Sequence, residues 1–176
     1  SMSKTAGLAP DFSIVREDAS NYTLGDERVT INMIAGDLWQ WDNNLKNLFT
    51  YGNFDRTDMR TIVKVTGMPV RESNKWNTAS FILRNDDDNY VTVGKKSHFD
   101  GIATVVETGQ SAVEAGSDAA YNETSEAYLG FTVTGSGAET SISMDFKVEG
   151  GEWTNVKTLT SSVLGNAYTI GFGTWG

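Results

Sequence analysis

A chain of 176 residues with a formal net charge of -9 and no cysteine excludes several functions at the outset. Its field repels nucleic-acid phosphates and anionic lipid surfaces, so nucleic acid is excluded as a main partner; no apolar run is long enough to cross a bilayer, and membrane insertion is not expected. Disulfide scaffolding, thiolate zinc sites and thiol catalysis all need cysteine and fall away together.

Ser1-Met2-Ser3 reads as the remnant of a cleaved tag, so residues 1–10 are expected to be that remnant and a flexible leader, with 11–176 forming one domain. From Asp11 the chain breaks into short apolar–polar alternations separated by Gly, Asn, Asp and Ser clusters. In chain order the predicted strands are Phe12–Arg16, Arg28–Asn32, Asn47–Thr50, Met59–Thr66, Trp76–Arg84, Tyr90–Gly94, Ile102–Glu107, Ala127–Thr134, Ser141–Val148, Thr154–Leu159 and Tyr168–Phe172. Ile142, Met144, Phe146 and Val148 alternate with Ser143, Asp145 and Lys147, which is the period of a strand with one buried face. Leu129, Phe131 and Val133 repeat it, as do Ala79, Phe81 and Leu83, and these sets are expected to build the core. Turn residues fall between the runs at Asn85-Asp86-Asp87-Asp88, Gly135-Ser136-Gly137 and Glu149-Gly150-Gly151. The fold class is therefore all-β, a two-sheet antiparallel sandwich. The Ala-, Ser- and Gly-rich stretch 109–126 shows little period and reads as a long loop.

Three groups of residues carry a resemblance: Gly36-Asp37-Leu38-Trp39 with Asn43-Asn44 and Asn47-Leu48-Phe49, then Asp86-Asp87-Asp88-Asn89-Tyr90-Val91, then Glu149-Gly150-Gly151-Glu152-Trp153-Thr154. In this order they resemble the concanavalin A-like jelly-roll modules attached to glycoside hydrolases, and more closely the C-terminal sandwich of family 43 glycoside hydrolases, over residues 11–176. The resemblance implies an extracellular or cell-surface bacterial module, two antiparallel sheets in a jelly-roll arrangement, linked to a glycoside hydrolase catalytic domain and working on plant, microbial or host glycans; a monomer is expected. The chain departs from the pattern in the longer segment after Glu107 and in Ala79-Ser80-Phe81-Ile82.

Sugar rings combine apolar C–H faces with hydroxyls, so sites for them pair aromatic platforms with short polar groups and often an Arg or carboxylate. Trp39 and Trp41 alternate in a polar segment and either point toward a ligand or cap the core under a loop. Trp76 leads a strand on which Thr78, Ser80, Ile82 and Arg84 share one face. That face is either a groove, also lined by Arg60, Ile62, Lys64, Tyr90, Thr92 and Tyr128, or a solvated outer surface. The residues expected to touch an oligo- or polysaccharide are Trp39, Trp41, Asn47, Trp76, Arg84 and Tyr90.

No catalytic residue is assigned: Glu107, Glu126, Asp145 and Glu149 cannot be paired by spacing into the two carboxylates that glycoside hydrolysis needs. Asp86, Asp87, Asp88 and Asn89 offer hard oxygens that suit a structural calcium, but their spacing is that of a hairpin turn rather than of an alternating calcium loop, and no cofactor is assigned. His98, the single histidine, has no second imidazole or thiol to complete a zinc site and reads as a loop residue with a sugar contact as the alternative. The expected function is a non-catalytic carbohydrate-binding module. The alternative is a structural accessory domain that packs against a glycosidase without binding glycan.

Overall fold

The computed structural model describes residues 11–25, 28–55, 58–121, 125–135 and 139–176. Among the described residues thirteen strands run β1 Phe12–Val15, β2 Tyr22–Gly25, β3 Arg28–Ile31, β4 Leu48–Asp55, β5 Met59–Val65, β6 Thr78–Asp86, β7 Asn89–Lys96, β8 Gly101–Thr108, β9 Ser111–Ala120, β10 Ala127–Thr134, β11 Thr140–Val148, β12 Thr154–Ser161 and β13 Ala167–Trp175. One sheet of seven strands has the order β1-β4-β13-β6-β7-β8-β9; a second of four has the order β12-β11-β10-β5; β2 and β3 form a separate ribbon. Every pairing is antiparallel. The architecture is the two-sheet all-β sandwich that the alternation predicts, while the expectation for residues 1–10 and the Gly135-Ser136-Gly137 turn fall partly or wholly outside the described residues.

Between the sheets lies the main core. Phe81, Leu83, Val91 and Val93 from the large sheet meet Leu129, Phe131, Val133, Ile142, Met144 and Phe146 from the small one, with Phe81 and Phe131 in ring contact at 5.1 Å. Burying side chains of this size contributes about 1.5–3 kcal/mol each, which is what orders the two sheets against one another.

Strand alternation then turns Ser80, Ile82, Tyr90, Thr92, Val105 and Glu107 to the opposite face of the large sheet. This face is not solvated: Thr78, Ser80 and Ile82 are buried, and a second cluster of Leu38, Leu45, Leu48, Ile82, Tyr90, Val105 and Trp175 covers its middle. The segment between β3 and β4 supplies Leu38 and Leu45, so a loop performs the work of a third layer. Gly171 and Gly173 make room for it, since a Cβ at Gly173 would fall 3.2 Å from a Leu45 methyl and 3.4 Å from a Leu48 methyl.

Three expectations are corrected. Residues 109–126 are not a long loop: Ser111–Ala120 is β9, the edge strand paired with β8. Its Ala, Gly and Glu content gives weak intrinsic strand preference, and the ladder to β8 overrides it. Trp76 lies ahead of β6, which starts at Thr78. Finally, Arg60, Ile62, Lys64 and Tyr128 do not share a groove with Tyr90 and Thr92. They belong to β5 and β10 of the small sheet and point away from the core on the other side of the sandwich.

Candidate functional site

The loop over the large sheet is held by hydrogen bonds that its own sequence prescribes. The Asp37 carboxylate accepts from the backbone N–H groups of Leu38 and Trp39, and its carbonyl accepts from Asn44 and Leu45, closing the segment on itself. Asn44 Oδ1 returns a bond to Asp37 N–H at 2.8 Å. Between these anchors the chain makes a tight turn, Trp39 C=O accepting from Asp42 N–H, with Gln40 in the left-handed region at φ 56°. A left-handed non-glycine residue costs free energy and persists only where its surroundings hold it. Here the holder is Glu107 of β8, whose Oε2 lies 2.7 Å from Gln40 N–H. Tyr90 Oη of β7 lies 2.9 Å from the same oxygen and 2.8 Å from the Leu38 carbonyl oxygen.

This turn presents Trp39 and Trp41. Trp41 is 71% exposed, whereas Trp39 is half-buried with the ammonium of Lys96 5.2 Å from its ring. Lys96 pairs with Glu114 of β9, whose other oxygen lies 3.2 Å from His98 Nε2, and the His98 ring stacks on Trp76 with centroids 4.0 Å apart. Trp39, Lys96, Glu114, His98 and Trp76 therefore form one continuous line of contacts that runs from the β3–β4 loop over the end of β7 to the edge strand β9 and back to the segment ahead of β6. Trp76 is 63% exposed. Its position follows from the lacing of 72–77 to Ser97: Glu72 N–H bonds the Ser97 carbonyl, Ser97 N–H bonds the Asn77 carbonyl, and Ser97 Oγ donates to the Lys75 carbonyl. On the far side of His98, Phe99 lies over Gly116, where a Cβ would come within 2.6 Å of its ring.

Burial pushes the His98 imidazole below its ordinary value, only partly offset by the Glu114 carboxylate, so the ring is neutral near pH 7. With Nε2–H donated to Glu114, the buried Nδ1 is an acceptor with no hydrogen-bond partner. The line thus offers two indoles at its ends and a compensated ammonium–carboxylate pair with an imidazole between them. Chemically that suits stacking on a pyranose or furanose face and hydrogen bonds to its hydroxyls.

Of the residues the sequence singles out, the structure brings Trp39 and Trp76 into this line and sets Trp41 beside it. The other three have internal partners. Asn47 is buried at φ 53°, accepts from Asp18 N–H and donates to the Asp18 carbonyl, and so fixes the entry to β4. Arg84 binds Asp87 through two nitrogens, and Tyr90 is buried beneath Leu38. These internal contacts account for the positions of their side chains.

The acidic hairpin is divided in the same way. Asp86 accepts from Asp88 N–H and Asn89 Nδ2, Asp87 takes Arg16 and Arg84, and Asp88 accepts from Asn43 Nδ2 at 2.8 Å. Among the described residues no group of three or more His, Asp or Glu gathers as a metal site. Lys96 and Glu114 were not legible as site residues, Glu114 because it falls in the stretch read as a loop. The alternation of Ala112, Glu114 and Gly116 with Val113 and Ala115 was the available signal.

On the opposite side of the sandwich a second aromatic group faces outward, with Arg60 4.5 Å from the Trp153 ring and Lys147 5.0 Å from that of Tyr128. Arg60 also pairs with Asp145 at 2.6 Å, and Lys64 lies 5.6 Å from the Tyr128 ring. Glu107 and Asp145 thus stand on different sheets and cannot act as one carboxylate pair.

No protein-family model and no curated protein sequence matches this chain. Solved structures do share its fold. A mutant of the GH43 protein BlXynB from Bacillus licheniformis superposes with a TM-score of 0.73 at 17% identity, over 95% of this chain and 33% of that one. The Bacteroides ovatus Xyloglucan PUL GH43B gives 0.69 at 15% identity, over 96% and 33%. A functionally unknown protein from Saccharomyces cerevisiae gives 0.67 at 13% identity, over 93% and 86%. The chain is a two-sheet β-sandwich that shares its fold with a domain of these GH43 proteins. It spans about a third of the length of those two proteins.

Proposed function

We propose that the chain is a non-catalytic glycan-binding module, linked to a glycoside hydrolase at the cell surface or outside the cell, and that its ligand lies along Trp39, Lys96, Glu114, His98 and Trp76. The observation that carries this reading is the continuous line itself: two indoles bracket a compensated Lys96–Glu114 pair and the half-buried His98 ring, and none of these three polar residues belongs to either apolar core. Stacking would supply affinity and the polar groups would choose among hydroxyl patterns. Attachment to an enzyme lets even a weak site act by raising local substrate concentration. The likeness in fold to domains of GH43 enzymes supports linkage to a hydrolase.

The test is a glycan array followed by affinity electrophoresis on each hit, with Trp39→Ala, Trp76→Ala and, as a control on the opposite sheet, Trp153→Ala. Retention lost in the first two and kept in the third supports the reading. Retention lost only with Trp153→Ala moves the site to the small sheet. No retention by folded protein on any glycan favours the alternative, a domain that packs against a catalytic partner.

A further inference from the structure

The outer face of the small sheet carries an ordered set of polar and aromatic side chains that the Trp39–Trp76 line does not use. On β10, Tyr128 and Thr132 point away from the core with Gly130 between them; on β11, Asp145 stands opposite Gly130 and Lys147 opposite Tyr128. Gly130 leaves a gap in this face, since a Cβ there would fall 2.7 Å from Arg60 Nη2. The Arg60 side chain from β5 crosses the gap, donates to Thr132 Oγ1 at 2.9 Å and to Asp145 at 2.6 Å, and lies 4.5 Å from the Trp153 ring. Asn155 Nδ2 on β12 donates to Asp145 Oδ1 at 2.8 Å and to Ser143 Oγ at 2.7 Å. Bonds between exposed polar groups add little to stability. What they do here is hold donors and acceptors from four strands in one arrangement, which lowers the ordering cost of binding a ligand.

The charges on this face leave one cation over. Arg60 is taken by Asp145 and Lys64 by Glu126, while the Glu149 carboxylate is directed to the Tyr128 hydroxyl. Lys147 has no carboxylate partner among the described residues; its ammonium stands 5.0 Å from the Tyr128 ring and 5.6 Å from that of Trp153. Two aromatic rings attract an ammonium without accepting its N–H bonds in the way an oxygen does, so the group is positioned and still has donors to give. The chain's net charge of -9 sets the charge density of what can approach. A polyanion is repelled as a whole, whereas a largely neutral molecule with one carboxylate matches one ammonium. Trp153 is 36% exposed beside it, and the hydroxyls and amide of Ser143, Thr158 and Asn155 suit sugar hydroxyls.

We propose that the outer face of the small sheet is a second saccharide site, selective for a glycan that carries isolated hexuronate units, with the uronate carboxylate on Lys147 and the neighbouring sugar surface on Trp153. Lys147 supplies the choice of acid over neutral sugar, Trp153 the apolar contact, and Asn155 and Ser143 the hydrogen bonds to hydroxyls. Neither site needs the other: this face and the Trp39–Trp76 line lie on opposite sides of the sandwich.

The indole N–H signals in an NMR titration of the whole chain tell the two sites apart. The probes are tetrasaccharides bearing one glucuronate or galacturonate unit, each beside the same oligosaccharide after reduction of its carboxyl to the alcohol. At least one acid should shift the Trp153 signal and bind about tenfold more tightly than its reduced form, the worth of one hydrogen bond between charged groups. That preference should vanish in Lys147→Gln, whose spectrum also reports whether the variant is folded. The proposal is overturned if no acid shifts Trp153, if acid and reduced form bind equally, or if the preference survives in Lys147→Gln. A tetraglutamate peptide that shifts Trp153 as strongly as the sugar acid also overturns it, because the face would then read charge and not saccharide. If an acid binds at Trp153 with the expected preference while no glycan shifts Trp39 or Trp76, this proposal stands and the site given under the proposed function falls.

Discussion

Trp76 and His98 stack with their ring centroids 4.0 Å apart and with the planes at 53°, one ring exposed and the other pressed against Glu114. The indole is thus fixed in place without being part of either core. Trp76→Ala is expected to abolish glycan retention while changing stability by less than about 1.5 kcal/mol, the upper worth of one aromatic pair beyond its buried area. Affinity electrophoresis beside thermal unfolding measures both; a large drop in melting temperature would make Trp76 structural.

His98 adds a pH signature of its own. Because burial lowers its value from 6.5 in the folded state, the unfolded chain binds the extra proton more readily. Stability should be full above pH 6.5 and decline as the pH falls below it, levelling once the folded imidazole also protonates. Urea unfolding of wild type and His98→Gln across this range should differ in slope; parallel curves would contradict the assignment.

The second core is open to a direct test. Leu45 is fully buried between the loop and the glycine pair of β13, so Leu45→Ala should cost about 2–5 kcal/mol in urea unfolding. A loop merely resting on the sheet would give a far smaller loss.

Asp87 joins three parts of the chain by accepting from both Arg16 and Arg84. Burial alone would raise its carboxyl, but the two guanidinium groups outweigh this and hold it below 3.8. Its contribution is present above pH 3.8 and lost as the pH falls through the lowered value. Asp87→Asn should cost about 1–2 kcal/mol at neutral pH, discounted for the partial exposure of all three groups. The variant should also lose the acid-dependent part of the unfolding curve, which a urea series at descending pH would reveal.

Gly94 of β7 has no space for a side chain. A Cβ there would fall 2.1 Å from the Ala79 carbonyl oxygen and 2.5 Å from Ser80 Oγ, so Gly94→Ala must separate β6 from β7. Overpacking of this kind costs about 1–3 kcal/mol or more. Unfolding of the variant at lower urea than wild type checks it; an unchanged midpoint would mean that the strands part freely.

Local alternation is enough to declare the strands whose burial follows a period of two. Ile142, Met144, Phe146 and Val148 need only local alternation to declare a buried face, and the same holds for Leu129, Phe131 and Val133. The sequence also carries the exposed tryptophans, because indoles in polar segments stand out. Which faces meet is set by long-range pairing instead. Arg60 and Tyr90 carry similar local patterns yet end on opposite sides of the sandwich, since sheet membership depends on pairings between residues far apart in the chain. The same long-range pairing turned residues 111–120 into β9, bringing Glu114 to Lys96 and His98. It also buried Tyr90 and Glu107 under a loop from a distant segment, and no local spacing encodes a contact whose partners lie 67 residues apart.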